Sequence, residues 1–452
     1  MSDTIAAIAT GMQVSAIGIV RLSGDRAAEL ANRIFRPASG RELLSYPNRQ
    51  LVYGSLLDLS GQTLDLCMCT VSRAPHSYTG EDTAELQCHG SPAVLRAALD
   101  TLFALGARQA RPGEFTKRAF LNGRMDLSGA EAVADIIDAE TVEAAKNAAG
   151  QLGGAIARRI GGVYSSLADI SSHYHVVLDY PDEDIEDFRL AEYRATIADA
   201  LAQLERLHGS HESGRLMCSG IPAAIIGRPN AGKSSLLNAV LGYDRAIVTD
   251  IPGTTRDTIE ERLMLGGRLL RLTDTAGLRS TGDRIEQLGV MRSREAVGRA
   301  QLVIALIDGS DSDDTGDGEI ISLAESAPHA IVALSKSDLG KPRKRIATAL
   351  PTVEISAVTG EGLDRLGELI GQMFPTPEVP AGEILTNARQ AEAVARAIEA
   401  MRAALEALDG GLTPDIVLTE TEAAMSALGE LTGATVCEDV TNRIFERFCV
   451  GK

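Results

Sequence analysis

At 452 residues, with 44% hydrophobic side chains and a mean hydropathy of +0.01, the chain carries apolar material for about three domains. A net charge of −18 excludes a broad phosphate-binding surface, so a nucleic-acid partner must be met by a local basic patch or by another subunit. No apolar run reaches the length of about eighteen residues needed to span a membrane, and MSDTIAAIATG lacks the basic-then-apolar order of a secretory signal. Six cysteines with no Cys-x-x-Cys pair read as reduced thiols, and the expected location is cytoplasmic.

The first part, residues 1–117, alternates short strand-like runs with helical patches. AIGIVRLS (16–23), LVYGSLLDL (51–59), DLCMCTVS (65–72) and DTAELQCHGS (82–91) are the strands, and PAVLRAALDTLFALGA (92–107) is helical, giving an α+β domain. Cys67-x-Cys69 alternates within its run and reads as plain packing. Residues 118–219 then carry apolar positions at helical spacing over 126–175 and 190–208. HYHVVLDYPDEDIED (173–187) breaks that pattern. His173 and His175 fit no standard metal spacing, and the segment reads as a solvated acidic turn.

Residues 220–375 change texture to α/β. AAII (223–226) is a buried parallel strand running into Gly227-x-x-x-x-Gly232-Lys233-Ser234, the phosphate-loop pattern, and SSLLNAVLG continues as a helix. The glycines let backbone N–H groups wrap an anion. The helix presents its positive end to it. Lys233 reaches the outer phosphates, and the Ser234 hydroxyl holds Mg²⁺. TIEERLML (258–265) and RLLRLTD (268–274) form a hairpin around Gly266-Gly267. QLVIALID (301–308), AIVALSKSD (330–338) and PTVEISA (351–357) are further strands. Residues 376–452 are helical again. Helical texture on both flanks predicts that the α/β block is inserted into a single all-α domain.

Four further stretches select guanine. Asp274-Thr275-Ala276-Gly277 ends the hairpin strand, bringing a carboxylate near the metal and an N–H near the γ-phosphate. Asp250-Ile251-Pro252-Gly253-Thr254-Thr255 lies where a switch segment supplies a threonine. In Ser335-Lys336-Ser337-Asp338, the carboxylate accepts guanine N1–H and N2–H, which adenine does not offer. Ser356-Ala357 brings backbone to guanine O6. The candidate nucleotide contacts are these residues together with Asn230, Ala231, Gly232, Lys233, Ser234, Ser235 and Thr249. The order matches GTPases of the translation-factor type, except that Ser335 stands where asparagine is usual. Leu278 occupies the position where many small GTPases carry a water-orienting glutamine. Asn230, whose side-chain oxygen suits a monovalent cation, and Glu286, placed to act on the attacking water or to lie exposed on a helix, are the groups available.

GRPNAGKSSLLN, TDIPGTTRD, DTAGLR, RPGEFTKRAFLNGRMDLSGAEAVADIIDA (111–139) and the terminal FCVGK (448–452) resemble the MnmE (TrmE) family of tRNA-modifying GTPases over essentially the whole chain. The resemblance implies an α+β N-terminal domain similar to folate-binding aminomethyltransferases that forms a homodimer, and a helical domain carrying the inserted P-loop GTPase domain. It implies an FAD-dependent partner, MnmG (GidA), in a heterotetramer or larger complex. The joint activity would add aminomethyl or carboxymethylaminomethyl groups to C5 of the tRNA wobble uridine. Asn230, Thr249, Ile251 and Thr254 would bind K⁺ in place of an arginine finger. Ser234 and Thr255 would bind Mg²⁺, and Glu286 would be catalytic. Arg21, Glu85, Arg124 and Lys452 match positions holding a tetrahydrofolate derivative, in the 5,10-methylene or 5-formyl form. Cys449 matches the family's terminal cysteine, with a catalytic role and a buried structural thiol as its two readings. The stretch GMQVSAIGIVR lacks the proline- and glycine-rich run common before that strand. The alternative function is a GTP-dependent RNA-binding or ribosome-assembly factor, which leaves 111–139 and FCVGK unexplained and would call for a basic segment that the chain lacks.

Overall fold

The computed structural model describes residues 3–179, 190–243, 261–272, 294–342, 346–376, 379–434, 444–446 and 448–451. The N-terminal part comprises β1 (Ile5–Ile8), β2 (Ser15–Ser23), α1 (Ala27–Ile34), β3 (Phe35–Pro37), β4 (Val52–Leu57), β5 (Thr63–Ser72), β6 (Thr83–Gly90), α2 (Pro92–Ala104) and β7 (Arg108–Gln109). Its seven-stranded sheet has the order β3-β4-β5-β6-β2-β1-β7. All neighbours are antiparallel except β1 and β7. Alternation decides which face is buried. Cys67, Cys69 and Val71 of β5 point inward with Leu22, Leu56 and Leu86, and Leu30, Ile34, Leu95 and Leu102 of α1 and α2 close the core over them. The sequence reading missed β1, α1 and β3. β1 is four residues of IAAI with no alternation, and α1 buries a face built partly of Ala27, Ala28 and Ala31.

Among the described residues six helices follow: α3 (Glu114–Leu121), α4 (Leu127–Asp138), α5 (Val142–Leu152), α6 (Ala155–Asp179), α7 (Leu190–Gly209) and α8 (His211–Ser219). The expected break at 173 is not where the helix ends. His173–Asp179 continue α6, because Tyr174 falls on its buried stripe and is 0% exposed. The two histidines make structural bonds, His173 to Tyr193 and His175 Nε2 to Glu422 Oε1 at 2.7 Å.

The α/β block holds β8 (Ile221–Gly227), α9 (Lys233–Tyr243), β9 (Glu261–Leu265), β10 (Arg268–Leu272), β11 (Leu302–Asp308), α10 (Asp317–Glu325), β12 (His329–Ser335), β13 (Thr352–Glu354) and α11 (Leu363–Met373). Its sheet order is β13-β12-β11-β8-β10-β9, parallel apart from the β9–β10 hairpin. β11, LVIALID, is buried along nearly its whole length, as a central parallel strand covered on both faces must be. After the block come α12 (Ala388–Asp409), α13 (Pro414–Thr432) and the described residues 444–446 and 448–451.

By packing, the chain divides into two units, one of residues 1–137, 148–201 and 396–452, the other of 138–147 and 202–395. Within the first, α6 packs along α13, and Arg194 pairs with Asp409 through Nε–Oδ1 at 2.6 Å. Helices from either side of the α/β block thus share one body. Within the second unit, the return segment is gripped by helices that precede the block. Asn147 Oδ1 accepts from Gly382 N at 2.7 Å, its Nδ2 donates to Ile384 O at 3.1 Å, and Leu385 N donates to Ser210 Oγ at 3.1 Å.

Candidate functional site

Parallel sheets bind ligands at the carboxyl ends of their strands, where the order reverses. Here that edge is the end of β8, which lies between β10 on one side and β11 on the other. Gly227, the last residue of β8, lies so close to β11 that a Cβ there would sit 2.4 Å from Leu306 O. The loop then turns through left-handed conformations at Asn230 (φ 61°) and Gly232 (φ 95°), which asparagine and glycine tolerate best. α9 starts at Lys233, and Ser234 and Ser235 lie exposed in its first turn.

Lys233 Nζ donates to the carbonyls of Gly227 at 2.7 Å and Arg228 at 2.8 Å. Burial pushes its ammonium below the usual range, and no carboxylate pairs with it among the described residues. A half-buried cation held only by carbonyls fits an anion, and the surrounding loop N–H groups suit a phosphate chain.

The segment Ser335–Asp338 meets the phosphate loop through a hydroxyl. Ser335, at the end of β12, is 5% exposed, and its Oγ lies 2.8 Å from Ala231 O and 3.1 Å from Ile307 O. Serine therefore makes a tie to the phosphate loop directly. Lys336 (φ 63°) pairs with Asp308 Oδ2 at 2.6 Å. Burial works against that carboxylate, but hydrogen bonds from Lys336 and Ser310 outweigh it and hold Asp308 below its usual value. Asp338 is exposed, and its Oδ1 accepts from Ser356 Oγ at 2.7 Å. Ser356 is fully buried, and its Oγ in turn accepts from the N–H groups of Val358 and Thr359. These bonds aim a carboxylate at solvent beside the half-buried Ala357. Of the nucleotide candidates, Thr249–Thr255 and Asp274–Gly277 lie outside the described residues, as do Glu286 and Leu278.

A second constellation forms on the N-terminal sheet. Arg21 of β2 stands directly opposite Glu85 of β6, with Nε–Oε1 at 2.8 Å. Its guanidinium lies 5.7 Å from the ring centroids of both Tyr78 and Phe115, and its Nη1 donates to Gly451 O at 3.4 Å. The C-terminal segment thereby reaches the sheet: Val450 bridges Pro112, and Gly451 packs so tightly that a Cβ would meet Ile8 O at 2.4 Å. Arg124 is exposed in the turn after α3, its stem flanking Gly80 in the loop that carries Tyr78. Lys452 lies outside the described residues. Cys449 is exposed, which removes the reading of it as a buried structural thiol. Tyr78 escaped the sequence reading because a loop aromatic has no spacing signal. Beside it, Arg118 donates to Glu81 Oε2 at 2.9 Å and Glu114 Oε1 at 3.0 Å, while Arg108 donates to Glu114 Oε1 at 2.7 Å. Burial works to raise the Glu114 carboxyl, but these guanidinium bonds and the Arg111 N–H outweigh it and hold it at about 2.

A phosphate loop tied through Ser335 to the loop of Asp338, at the carboxyl edge of a mostly parallel sheet, defines a P-loop GTPase fold, here with helical segments before and after it in sequence and an α+β domain preceding them. The family models for the GTP-binding protein TrmE N-terminus and the MnmE helical domain match residues 4–124 and 127–449. The chain belongs to the MnmE family of tRNA modification GTPases. It is 43% identical over 456 residues to the tRNA modification GTPase MnmE of Symbiobacterium thermophilum, covering 100% of this chain and 99% of the relative. The corresponding figures are 42% over 464 residues for MnmE of Roseiflexus sp. (strain RS-1) and 41% over 461 for MnmE of Geobacillus kaustophilus, with the same coverage. Among the described residues, no helix is long and apolar enough to cross a membrane.

Proposed function

We propose that this chain is the K⁺-stimulated GTPase subunit of a cytoplasmic complex with an FAD-dependent MnmG-type partner, adding aminomethyl or carboxymethylaminomethyl groups to C5 of the wobble uridine of tRNA. The observation that carries the GTPase reading is Ser335, whose hydroxyl links the Asp338 loop to the phosphate loop at Ala231. In this reading Lys233 turns from its two loop carbonyls to the outer phosphate oxygens. Ser234 and Thr255 hold Mg²⁺, and Asn230, with Thr249, Ile251 and Thr254, holds K⁺. Those two cations supply the positive charge that the β,γ-bridge requires as bond breaking proceeds. Glu286 acts on the attacking water, since Leu278 has no group to do so. Asp338 accepts from the guanine edge.

The N-terminal reading rests on Arg21, Glu85 and the Gly451 carbonyl, which offer cation, anion and acceptor side by side. With Arg124 and Lys452 they suit the pterin and glutamate parts of a tetrahydrofolate, which supplies the one-carbon unit. We place the limits of the N-terminal, dimerising domain at 1–117, of the helical domain at 118–219 and 376–452, and of the GTPase domain at 220–375. The acidic chain leaves most tRNA docking to the partner.

Hydrolysis measured in KCl and NaCl at equal ionic strength tests the cation. The expected result is a much faster rate in KCl, with most of the difference lost in Asn230→Ala while nucleotide still binds. Equal wild-type rates overturn the K⁺ assignment. Wobble-uridine nucleosides in bulk tRNA from a deletion strain test the larger reading. An unchanged profile would leave the GTP-dependent RNA-binding factor in its place.

A further inference from the structure

β5 and β6 pair with Met68 opposite Gln87, which brings Cys67 and Cys88 face to face on adjacent strands. Both are free thiols, 5% and 2% exposed, set in the core beneath α1 and α2. Two residues before Cys67, and therefore on the same face of β5, stands Asp65. Its side chain is only 10% exposed. The carboxylate and the two sulfurs lie within 4.8 Å of one another, the only such donor group among the described residues.

Asp65 is a carboxyl group at the edge of an apolar core, and among the described residues no lysine or arginine pairs with it. Its partners are the N–H groups of Leu66 and His89, each at 2.8 Å, and His89 Nδ1 at 2.7 Å. These bonds fix the orientation of the carboxylate. The arrangement, a histidine ring holding a carboxylate that faces two thiols, has the form of a metal ligand set with its outer support in place. Two sulfurs select against Mg²⁺ and Ca²⁺, and in favour of a borderline-soft ion. Cys69, next along the same face, is not among the three donors and packs at 0% exposure.

We propose that Cys67, Cys88 and Asp65 bind a thiophilic divalent cation of the zinc class, with His89 as the positioning residue for the carboxylate. Binding forms two metal–sulfur bonds and one metal–oxygen bond, and both thiol protons pass to solvent. His89, whose side chain is 74% exposed, stands where the site meets solvent. The ion would clasp β5 to β6 in the middle of the N-terminal sheet, independently of the nucleotide site.

The test uses the full chain, reduced and stripped with a chelator, titrated with Co²⁺ and then Zn²⁺. The expected result is one cobalt per chain with a sulfur-to-cobalt charge-transfer band, displaced by zinc. Cys67→Ala and Cys88→Ala each abolish the band, and Cys69→Ala keeps it. His89→Ala weakens Co²⁺ affinity by about 10- to 100-fold while the band's shape persists. Hydrogen-exchange protection of β1 and β2 in the same sheet, unchanged in every variant, reports that the N-terminal unit still folds. No band in the wild type, a band that survives the Cys67→Ala/Cys88→Ala double variant, or isolation of the protein with a Cys67–Cys88 disulfide and no metal would each overturn the proposal.

Discussion

The two sheets hold their candidate ligands in opposite ways. In the parallel sheet the described nucleotide candidates gather at the carboxyl ends of the strands, on the loops and the helix start that follow them. In the antiparallel sheet the charged pair sits in mid-strand, Arg21 facing Glu85 across β2 and β6, and the acceptor beside it comes from residue 451. The first site is local in sequence and therefore leaves a motif. The second exists only once residues hundreds of positions apart have been brought together.

Asp338→Asn would break the comparison most sharply. It should weaken GTP by about 2–4 kcal/mol, because the amide turns a donor toward guanine N1–H while the phosphate contacts remain. Isothermal titration with GTP and GDP measures it, and unchanged affinity would remove the base-reading role.

The second effect belongs to the ion-pair cluster at the edge of the antiparallel sheet. Glu114 is held at about 2 against an ordinary 4.5. A lowered carboxyl contributes stability that is complete above its unfolded value and disappears as pH falls through its folded value. Acidification from about pH 4.5 toward 2 should therefore cost on the order of 3 kcal/mol in the N-terminal unit. Hydrogen exchange would show β1 and β7 losing protection across that window in the wild type and a flatter response in Glu114→Gln.

Next comes the C-terminal segment. Truncation after Phe448, or Arg21→Ala, should lower the affinity for 5-formyl-tetrahydrofolate by about 1.5–3 kcal/mol, the worth of a hydrogen-bonded charged contact. Equal binding by truncated and intact protein would exclude the terminus from that pocket.

Ser335→Ala is the smallest and sharpens the comparison at its finest point. It removes the contact to Ala231 at a cost of about 1 kcal/mol, and Ser335→Asn should restore it. Nucleotide affinity and phosphate-loop exchange, read together, separate loss of the tie from loss of packing.

The strands of the parallel sheet were legible because buried parallel strands are continuous apolar runs, and GRPNAGKS announces its own turn. The hairpin was legible from Gly266-Gly267, both with positive φ. β1 and β3 were not, being four and three residues long and defined by pairing rather than by pattern. The end of α6 was misread because polar residues after His173 resemble a turn, whereas Tyr174, buried against Tyr193 at a centroid distance of 5.3 Å, keeps the helix going. Ser335 looked like a departure from the base-reading motif. Only its position beneath Ala231 shows a short hydroxyl doing the tying. The Arg21–Glu85 pair came to notice by resemblance, since cross-strand register cannot be read from residues 64 positions apart.

That α6 packs on α13, with the whole α/β block between them in sequence, bears on how the chain is made. When α6 leaves the ribosome, its partner has not been translated. Everything from Asp179 to Pro414 must be synthesised first, roughly ten to fifty seconds at about 5–20 residues per second. For that interval the stripe carrying Ile156, Ile160, Val163, Leu167 and Ile170 has no α13 to cover it. The GTPase block can fold meanwhile as its own sheet, so the catalytic part is complete before the body that carries it. A ribosome-bound chain stalled before residue 414 should hydrolyse nucleotide while still needing a chaperone.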